Sequence, residues 1–312
     1  MRILKLRPPA WVYLLFLIGA CSLATRALLD SRFANSALLY LALPFTISLL
    51  LHHLVGYPEN RDALGRYLNH LRNATIIMLA TSAVLFEGFI CVLMFMPIYF
   101  LAISIGYSFS LLLERSRRHR GSRIGIYTLP IVVAVLSFEG VAPETTFQRA
   151  TDVTFRAVVQ ADIQSLKANM ARPIVFDRPR HWFLSVFPLP SRVEAGSLAP
   201  GDVHRLHFVY KRWFFANVHR GDMRLRIEEV GKDHVRTTIV DNSSYLANYL
   251  KLEGTRVRFR RLDDRRTEVS LTITYQRGLD PAWYFGPLQR FAVERSAKYL
   301  VESVIAREGL DG

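Results

Sequence analysis

The first part of the chain alternates long apolar runs with short charged tracts. Four apolar blocks stand out, at residues 10–29, 36–55, 74–113 and 124–138. A helix that crosses a bilayer needs about 20 predominantly apolar residues. The first two blocks therefore predict one span each, and the fourth predicts a further, shorter span.

The third apolar block is about twice as long as one span requires. It predicts a helical hairpin, most simply turning at Glu87-Gly88, where the only charge of the block adjoins a helix breaker. A turn at Met96-Pro97 is the alternative, and it would leave Glu87 inside a span, where an ionisable residue is functional by default. With the hairpin, the sequence predicts about five spans.

The distribution of basic residues supports this count. Loops on the cytoplasmic side of a membrane carry an excess of Lys and Arg. With five spans and the N-terminus inside, eleven basic residues lie inside and only Arg26 and Arg32 lie outside. If the third block were one span, the division would become six inside against seven outside. The sequence thus predicts a multi-pass inner-membrane protein with a cytoplasmic N-terminus and a periplasmic or otherwise extracytoplasmic C-terminal domain.

The N-terminus permits one other interpretation. Basic residues, an apolar stretch and the sequence Ile18-Gly19-Ala20-Cys21 resemble a signal peptide with a lipidation motif. Three further apolar blocks follow, so a cysteine inside an ordinary first span is favoured. Cys21 and Cys91 are the only cysteines, which leaves the C-terminal part without a disulfide.

After about residue 146 the pattern changes to period two. Apolar and polar positions alternate most clearly at residues 222–228, 256–260 and 268–275. Such alternation predicts half-buried strands of an antiparallel sheet. The last two stretches are joined by a short turn at 262–265 and predict a hairpin. Weaker patterns predict further strands at 152–159, 206–210 and 235–240 and a short helix at 162–170.

The final segment predicts one long amphipathic helix. Asp280 is suited to cap its N-terminus, Pro281 suits its first position, and Gly286-Pro287 predicts an offset of its first turn. The positions that favour one apolar face are Leu288, Phe291, Ala292, Tyr299, Leu300 and Val304. Such a helix, following a curved antiparallel sheet, is expected to lay its apolar face on the concave side of that sheet.

Two segments carry a resemblance to a known family. The stretch RTEVSLTITYQRGLDPAWYFGPLQRFAVERSAKYL is similar to the last strand and final helix of membrane-associated bacterial members of the START-like, polyketide cyclase and lipid-transfer (SRPBCC) superfamily. RPRHWFLSVFPLP is similar to the segment that follows their first helix. The resemblance covers roughly residues 145–306 and implies a helix-grip fold. It also implies a hydrophobic cavity between sheet and helix, where lipids, sterols or polyketides can bind.

No catalytic constellation is evident in the sequence. It contains no glycine-rich phosphate loop, no Cys-His pairing and no zinc-ligand spacing, so we predict no catalytic residue, no metal site and no cofactor. His204 and His207 lie three apart on a predicted strand and would point to opposite faces. His181 is interpreted as a surface or interface histidine, and Asp177 as a turn residue.

The formal net charge of +14 raises the question of a polyanionic partner. Outward strand faces carry Arg256, Arg258, Arg260, Arg261, Arg265 and Arg266, which could contact anionic lipid headgroups. A solvated face, with Asp263, Asp264 and Glu268 as ion-pair partners, is slightly favoured over that contact. The predicted topology and the lack of a recognisable binding motif argue against nucleic acid.

Taken together, these patterns predict a transmembrane helical region at residues 1–140 and a soluble START-like domain at residues 141–312. The function expected is binding or transfer of a lipid or other hydrophobic small molecule at the outer face of the inner membrane. Trp283, Tyr284, Phe285 and Phe291 are the residues predicted to line the cavity or its portal. Protein partners are not indicated by the sequence.

Two alternatives remain open. The domain could be an enzyme of the cyclase, dehydratase or isomerase type, acting on a membrane-soluble substrate, which requires a polar group with a perturbed pKa inside the cavity. It could also have a filled core and serve as a structural or assembly partner of membrane proteins.

Overall fold

The protein was analysed as a computed structural model, which describes residues 35–55, 62–84, 89–118, 124–176, 182–213 and 216–307. The chain divides into two compact units, Met1–Phe147 and Gln148–Gly312. Each unit is described by itself.

The described part of the first unit is helical. A short π-helical turn, Leu38–Ala42, leads into α1, Leu43–Leu54. The helices that follow are α2, Ala63–Val84, α3, Phe89–Arg118, and α4, Ile124–Ser137. Helices α1, α2 and α3 meet at Ser48, whose hydroxyl donates to the carbonyl of Ile103 at 2.7 Å and lies 2.8 Å from Nε2 of His70. A hydroxyl has one proton, so this imidazole nitrogen is the donor in the second contact.

The structure does not support the count of about five spans. Among the described residues, one helical stretch is long and apolar enough to cross a membrane, Phe89–Ser116, with 28 residues and a mean hydropathy of 2.3. Leu38–Leu54 and Thr128–Ser137 are apolar but shorter. The predicted first span and Cys21 lie outside the described residues.

The third apolar block is divided between two helices. Helix α2 ends at Val84 and α3 begins at Phe89, while the predicted turn at Glu87-Gly88 falls in residues 85–88, outside the described part. The alternative turn at Met96-Pro97 is wrong, because α3 continues through Pro97 to Arg118.

The described part of the second unit forms an antiparallel sheet of eight strands with helices on one face. The elements in chain order are β1, Ala150–Val159; α5, Ile163–Met170; β2, Ile174–Val175; α6, Trp182–Ser185; β3, Pro190–Glu194; β4, Val203–Trp213; β5, Ala216–Val230; β6, His234–Asn242; β7, Leu250–Arg261; β8, Thr267–Arg277; and α7, Ala282–Leu300. A 3₁₀ turn, Tyr245–Asn248, precedes β7, and a π-helical turn, Val301–Ile305, follows α7.

The sheet has the strand order β1-β8-β7-β6-β5-β4-β3-β2. The predicted hairpin is present, since β7 pairs with β8 around residues 262–266. Register shifts interrupt the pairing of β3 with β4, β5 with β6 and β7 with β8, and bulges of this kind bend the strands that carry them. The result is a curled sheet whose concave side receives one long helix, which is the helix-grip arrangement.

The core of this unit lies between α7 and one end of the sheet. Helix α7 packs chiefly on β1 and β8. Val293 and Ala297 of α7 join Val153, Val269 and Leu271 of these strands in one buried cluster. Helix α5 closes the same cluster with the fully buried Leu166 and is capped by Asp162, which accepts from the backbone amides of Gln164 and Ser165. These contacts fix which part of the inner sheet face is covered.

The start of α7 differs from its predicted form. The carboxylate of Asp280 does not cap the helix, which has Pro281 at its N-cap without a side-chain hydrogen bond. Asp280 is instead fully buried and accepts from Arg149, just before β1, and from Arg277, at the end of β8. Helix α7 also runs without interruption through Gly286-Pro287, so the predicted offset is wrong.

Removing the Asp280 carboxylate is expected to destabilise this unit strongly. In Asp280→Asn the buried guanidinium of Arg277 loses its counter-charge, and breaking a buried pair in this way costs about 3–5 kcal/mol. The matched control is Asp241→Asn, which breaks the Arg224–Asp241 pair, whose side chains are 51% and 54% exposed; exposed pairs contribute about 0–1 kcal/mol. Urea titration of the full chain, followed by tryptophan fluorescence, measures both losses. Equal losses would contradict a buried, structural role for Asp280.

Candidate functional site

The inner face of the sheet has two halves with different cover. Below α7, all inward side chains of β8 from Val269 to Tyr275 are buried. The Tyr275 side chain is 1% exposed. Burial raises the pKa of the Tyr275 phenol, so this ring stays neutral and behaves as a core residue. This half is filled by the protein's own side chains.

On β4, β5 and β6 most inward side chains are also buried, among them Phe208, Met223 and Ile227, but three apolar ones are only partly buried. Leu206, Leu225 and Ile239 alternate with exposed polar positions and therefore point to the inner side, yet each is only half-buried. Leu225 lies directly opposite Ile239 in the β5–β6 register. We call these three residues the open inner face. It offers apolar surface on the concave side of the sheet that the described residues do not fully cover.

A cluster of aromatic rings lies further along the same concave side, beyond the buried Phe208 of β4. Tyr210 of β4 stacks on Tyr245 of the 3₁₀ turn, with ring centroids 4.8 Å apart. The hydroxyl of Tyr249 donates to that of Tyr245 at 3.0 Å, and the ring of His219 lies 5.7 Å from Tyr245. We call Tyr210, His219, Tyr245 and Tyr249 the tyrosine cluster. It places three phenol groups, two of them hydrogen-bonded to each other, and one imidazole together at the concave side.

Helix α7 is connected to the tyrosine cluster through Gln289. This side chain is 3% exposed, and its amide nitrogen donates to the carbonyl of Tyr249 at 3.1 Å. The amide of Gly278 donates to the same carbonyl at 2.9 Å, and a Cβ at Gly278 would lie 2.3 Å from it, so only glycine fits here. Within the described residues, Oε1 of Gln289 has no hydrogen-bond partner. A buried acceptor of this kind is costly unless a donor reaches it.

The four residues predicted to line a cavity or portal lie in different environments. Phe285 is 1% exposed and contacts the ring of Tyr284, which in turn contacts Trp283. Trp283 is 49% exposed. Phe291 is 41% exposed and therefore does not lie on the buried face of α7, where it was expected; its ring contacts Phe183.

These positions distinguish two groups of aromatic side chains without establishing a ligand-binding role for either. Phe285 lies on the buried face of α7, one turn before Gln289. Phe291 belongs with Phe183 and the exposed Trp182 of α6, since the three rings form a chain of edge-to-face contacts. A cavity or portal role for Trp283, Tyr284, Phe285 and Phe291 stays a prediction.

Three residues of this region, Gln289, Tyr245 and Tyr249, are not indicated as site residues by the pattern of apolar and polar positions. In the sequence, Gln289 is simply a polar residue of an amphipathic helix, and nothing local marks it as buried. The two tyrosines lie in SSYLANYL, a stretch without clear periodicity between two strands. Two tyrosines four residues apart in a connection were the available signal, because exposed turns seldom carry such large rings.

The histidines considered as ligands do not form a joint site. His204 is buried on the inner side and lies 2.6 Å from the carbonyl of Ser197. His207 contacts Asp222 at 2.7 Å and Glu194 at 2.9 Å on the outer side, so the two histidines face opposite ways as predicted. Among the residues that the structure describes, no group of His, Cys, Asp and Glu is suited to hold a metal ion. His181 and Asp177 lie outside the described residues.

Comparisons with known proteins show that about half of the chain is similar in fold to several solved structures. No family model matches the chain, and no curated protein sequence does. Solved structures that it resembles include the ZhuI aromatase/cyclase of Streptomyces sp. R1128, with 15% identity, a TM-score of 0.34 and coverage of 51% of this chain and 93% of the other. A START superfamily protein of Mycobacterium smegmatis has 12% identity, a TM-score of 0.35 and coverages of 50% and 95%.

A third such structure is a point mutant of norcoclaurine synthase from Thalictrum flavum, in complex with a transition-state analogue. It has 12% identity, a TM-score of 0.28 and coverages of 50% and 97%. Nothing about the ligand or reaction of the present chain follows from similarities of this size.

The hydroxyl contact inside the tyrosine cluster is expected to be measurable as a coupling energy. Tyr245→Phe and Tyr249→Phe each remove one hydroxyl, and a neutral hydrogen bond contributes about 0.5–1.5 kcal/mol. A double-mutant cycle on the free energy of unfolding isolates the pair from the separate effects of each substitution. A coupling energy indistinguishable from zero would contradict the contact between the two phenols.

Proposed function

We propose that the C-terminal unit binds and transfers a lipid or other hydrophobic small molecule, and that the N-terminal unit anchors it to the inner membrane. The observation that carries the proposal is the uneven cover of the concave sheet face. Every inward side chain of β8 from Val269 to Tyr275 is buried, whereas Leu206, Leu225 and Ile239 are only partly buried. An apolar ligand that covered Leu206, Leu225 and Ile239 would gain about 25 cal/mol for each Å² of apolar surface removed from water.

The polar groups on the same concave side as the open inner face suggest which part of a ligand they would hold. Apolar pockets are usually lined by a few polar groups that fix the orientation of the ligand. Oε1 of Gln289 is an acceptor without a partner among the described residues, and the tyrosine cluster adds hydroxyls. An apolar molecule with one hydroxyl or amide donor fits this combination. Phe285, one turn from Gln289, would then lie beside the bound molecule.

Membrane anchoring is supported by helix α3. Its apolar part, Phe89–Ser116, has 28 residues. At 1.5 Å per residue such a helix is about 42 Å long, which exceeds the roughly 30 Å of a bilayer's hydrocarbon core. The further spans, the extracytoplasmic position of residues 141–312 and the cytoplasmic N-terminus belong to the proposal and depend on the distribution of basic residues in the sequence. An anchored domain would shorten the path of an apolar ligand through water.

Blocking the open inner face is expected to prevent ligand uptake. In Ile239→Trp the larger ring would occupy the space over Leu225, so the full chain should take up much less fluorescent fatty acid or lipid from vesicles than the unchanged chain. The matched control is Thr238→Trp, the preceding residue of β6, which is exposed on the outer side opposite the exposed Arg226. Thermal melts of both variants show whether the fold is retained.

Three outcomes of that experiment separate the alternatives. Uptake that is equal in both variants would contradict binding at the open inner face. A chain that takes up no apolar molecule, and from which mass spectrometry recovers none, would favour the structural or assembly role. A supplied molecule that is recovered with a changed mass would favour the enzymatic alternative, for which His219 and the phenols of Tyr245 and Tyr249 are the available acid–base groups.

The proposed topology is tested separately. A reporter that is active only in the periplasm, fused after Gly140, should be active, and one that is active only in the cytoplasm should be silent. The control places both reporters after Arg120, in the tract predicted to lie inside, where the result should be reversed. A cytoplasmic signal after Gly140 would contradict an odd number of spans.

A further inference from the structure

The outer face of the sheet carries some arginines that form ion pairs and others that do not. On β7 the arginines at alternate positions, Arg256, Arg258 and Arg260, all point outward, because Val257 and Phe259 between them are in the core. Arg260 is paired with Glu268 at 2.7 Å, and Arg266 in the adjoining turn is paired with Asp263 at 2.6 Å. For these two residues the interpretation as a solvated, ion-paired face is confirmed. It does not extend to Arg256 and Arg258.

The strand register brings a third arginine to the same place. Arg156 of β1 and Arg258 of β7 both lie opposite Ser270 of β8, one on each side of it. Arg256 lies opposite the next outward residue of β8, Thr272. With strands about 4.8 Å apart and a rise of about 3.4 Å per residue, these Cα atoms lie about 10 Å apart across β8 and about 7 Å apart along β7. We call Arg156, Arg256 and Arg258 the arginine triad.

The charges of the arginine triad are not neutralised within the described part of the unit. All three side chains are exposed, and none forms an ion pair or a hydrogen bond with another described residue. The pKa of the exposed Asp233 carboxyl is lowered chiefly because His234 hydrogen-bonds to it, and Arg258 makes only a smaller, through-space contribution. Between the arginines lie the hydroxyls of Ser270 and Thr272, which are neutral.

The neighbouring strand increases the local charge. Arg236 of β6 lies directly opposite Arg256, and like charges in opposed positions destabilise a sheet. Glu229 lies 3.8 Å from Arg236 and partly offsets its charge, whereas Arg256 has no such partner. An external anion at the arginine triad would therefore relieve a repulsion that the fold itself leaves in place.

The composition of this surface favours a bilayer over other polyanions. Val158, 51% exposed, follows Arg156 on the outer side of β1, and Leu262, 44% exposed, follows β7 in the turn. Arginines next to exposed aliphatic side chains suit a phospholipid surface, with phosphates outermost and hydrocarbon beneath. Single-stranded nucleic acid instead binds basic grooves with stacked aromatic rings, and the outward positions of β1, β7 and β8 hold no aromatic residue.

We propose that the arginine triad on the outer face of the sheet is a docking surface for the phosphate headgroups of an anionic phospholipid bilayer. A guanidinium binds phosphate through two parallel N–H donors, and three of them at this spacing contact separate headgroups. This site lies on the opposite side of the sheet from the open inner face. It holds the domain at a charged membrane whether or not an apolar ligand is bound.

The test uses the full chain in nanodiscs of neutral phosphatidylcholine, mixed with vesicles. The chain is expected to float with vesicles that contain phosphatidylcholine and phosphatidylglycerol, but not with vesicles of pure phosphatidylcholine. Added salt should weaken the binding to the anionic vesicles, because it screens exposed charges. Replacing all three arginines of the triad by glutamine should weaken binding by about a hundredfold, and each alone by about fivefold, given the usual contribution of one arginine near an anionic bilayer.

A matched control removes the same number of charges from the same face. Arg192, Arg205 and Arg224 lie on β3, β4 and β5 and are paired with Glu194, Asp222 and Asp241. Their triple replacement by glutamine leaves the arginine triad intact and should retain most of the binding. Thermal melts of both triple variants check that the fold is unchanged, as expected for exposed side chains.

Three results would overturn the proposal. The first is an unchanged chain that does not float with phosphatidylglycerol vesicles. The second is an equal loss of binding in the two triple variants, which would mean that only the overall charge matters. The third is tighter, triad-dependent binding to single-stranded DNA or to polyglutamate than to the vesicles, which would assign the surface to another class of partner. None of these results depends on ligand uptake, so the proposal can fail while the proposed function holds.

Discussion

The buried carboxylate of Asp280 joins the chain just before β1 to the junction of β8 and α7, which lies 131 residues further on. It accepts from Arg149 before β1 and from Arg277 at the end of β8, and it immediately precedes the start of α7. Arg277 and Asp280 form a buried ion pair, to which the partly exposed Arg149 adds a second cation, and a buried pair is stabilising only while both partners are present. The contact therefore fixes where α7 starts over the sheet, and with it which strands α7 can cover.

The position of α7 has a direct consequence for the concave side. Because the helix packs on β1 and β8, most inward apolar side chains of β1, β7 and β8 are buried in the core, and Phe155, Ala157 and Leu252 are partly buried there. Leu225 and Ile239, on strands further along the sheet, are left half-buried. The link from Gln289 to the carbonyl of Tyr249 joins the helix to the tyrosine cluster on the same concave side. The same packing that stabilises the domain leaves the surface for which we propose an apolar ligand.

One sheet thus presents two chemically different faces. Its concave side is apolar with a few hydroxyls, and its outer side is dominated by arginines, because side chains alternate along every strand. On β7 the alternation is nearly complete: Val257 and Phe259 are buried, while Arg256, Arg258 and Arg260 are exposed. The proposed ligand and the proposed bilayer contact therefore need not compete for the same residues, and both would benefit from a domain held close to the membrane.

The sequence by itself determined six of the eight described strands, the β7–β8 hairpin and the long C-terminal helix, since each depends on a periodicity that is local to a few residues. The short strands β2 and β3 were not predicted, because they are too short to show such a periodicity. The sequence also determined that His204 and His207 face opposite ways. Only the tertiary structure decided that Asp280 is an ion-pair partner rather than a cap, because Arg149 lies 131 residues away. In the same way, strand register decided that Arg156 and Arg258 lie on either side of Ser270 of β8. It also decided that Glu268 forms an ion pair with Arg260 and not with Arg256 or Arg258. Such contacts depend on distances through space, which a one-dimensional pattern of apolar and polar residues does not contain.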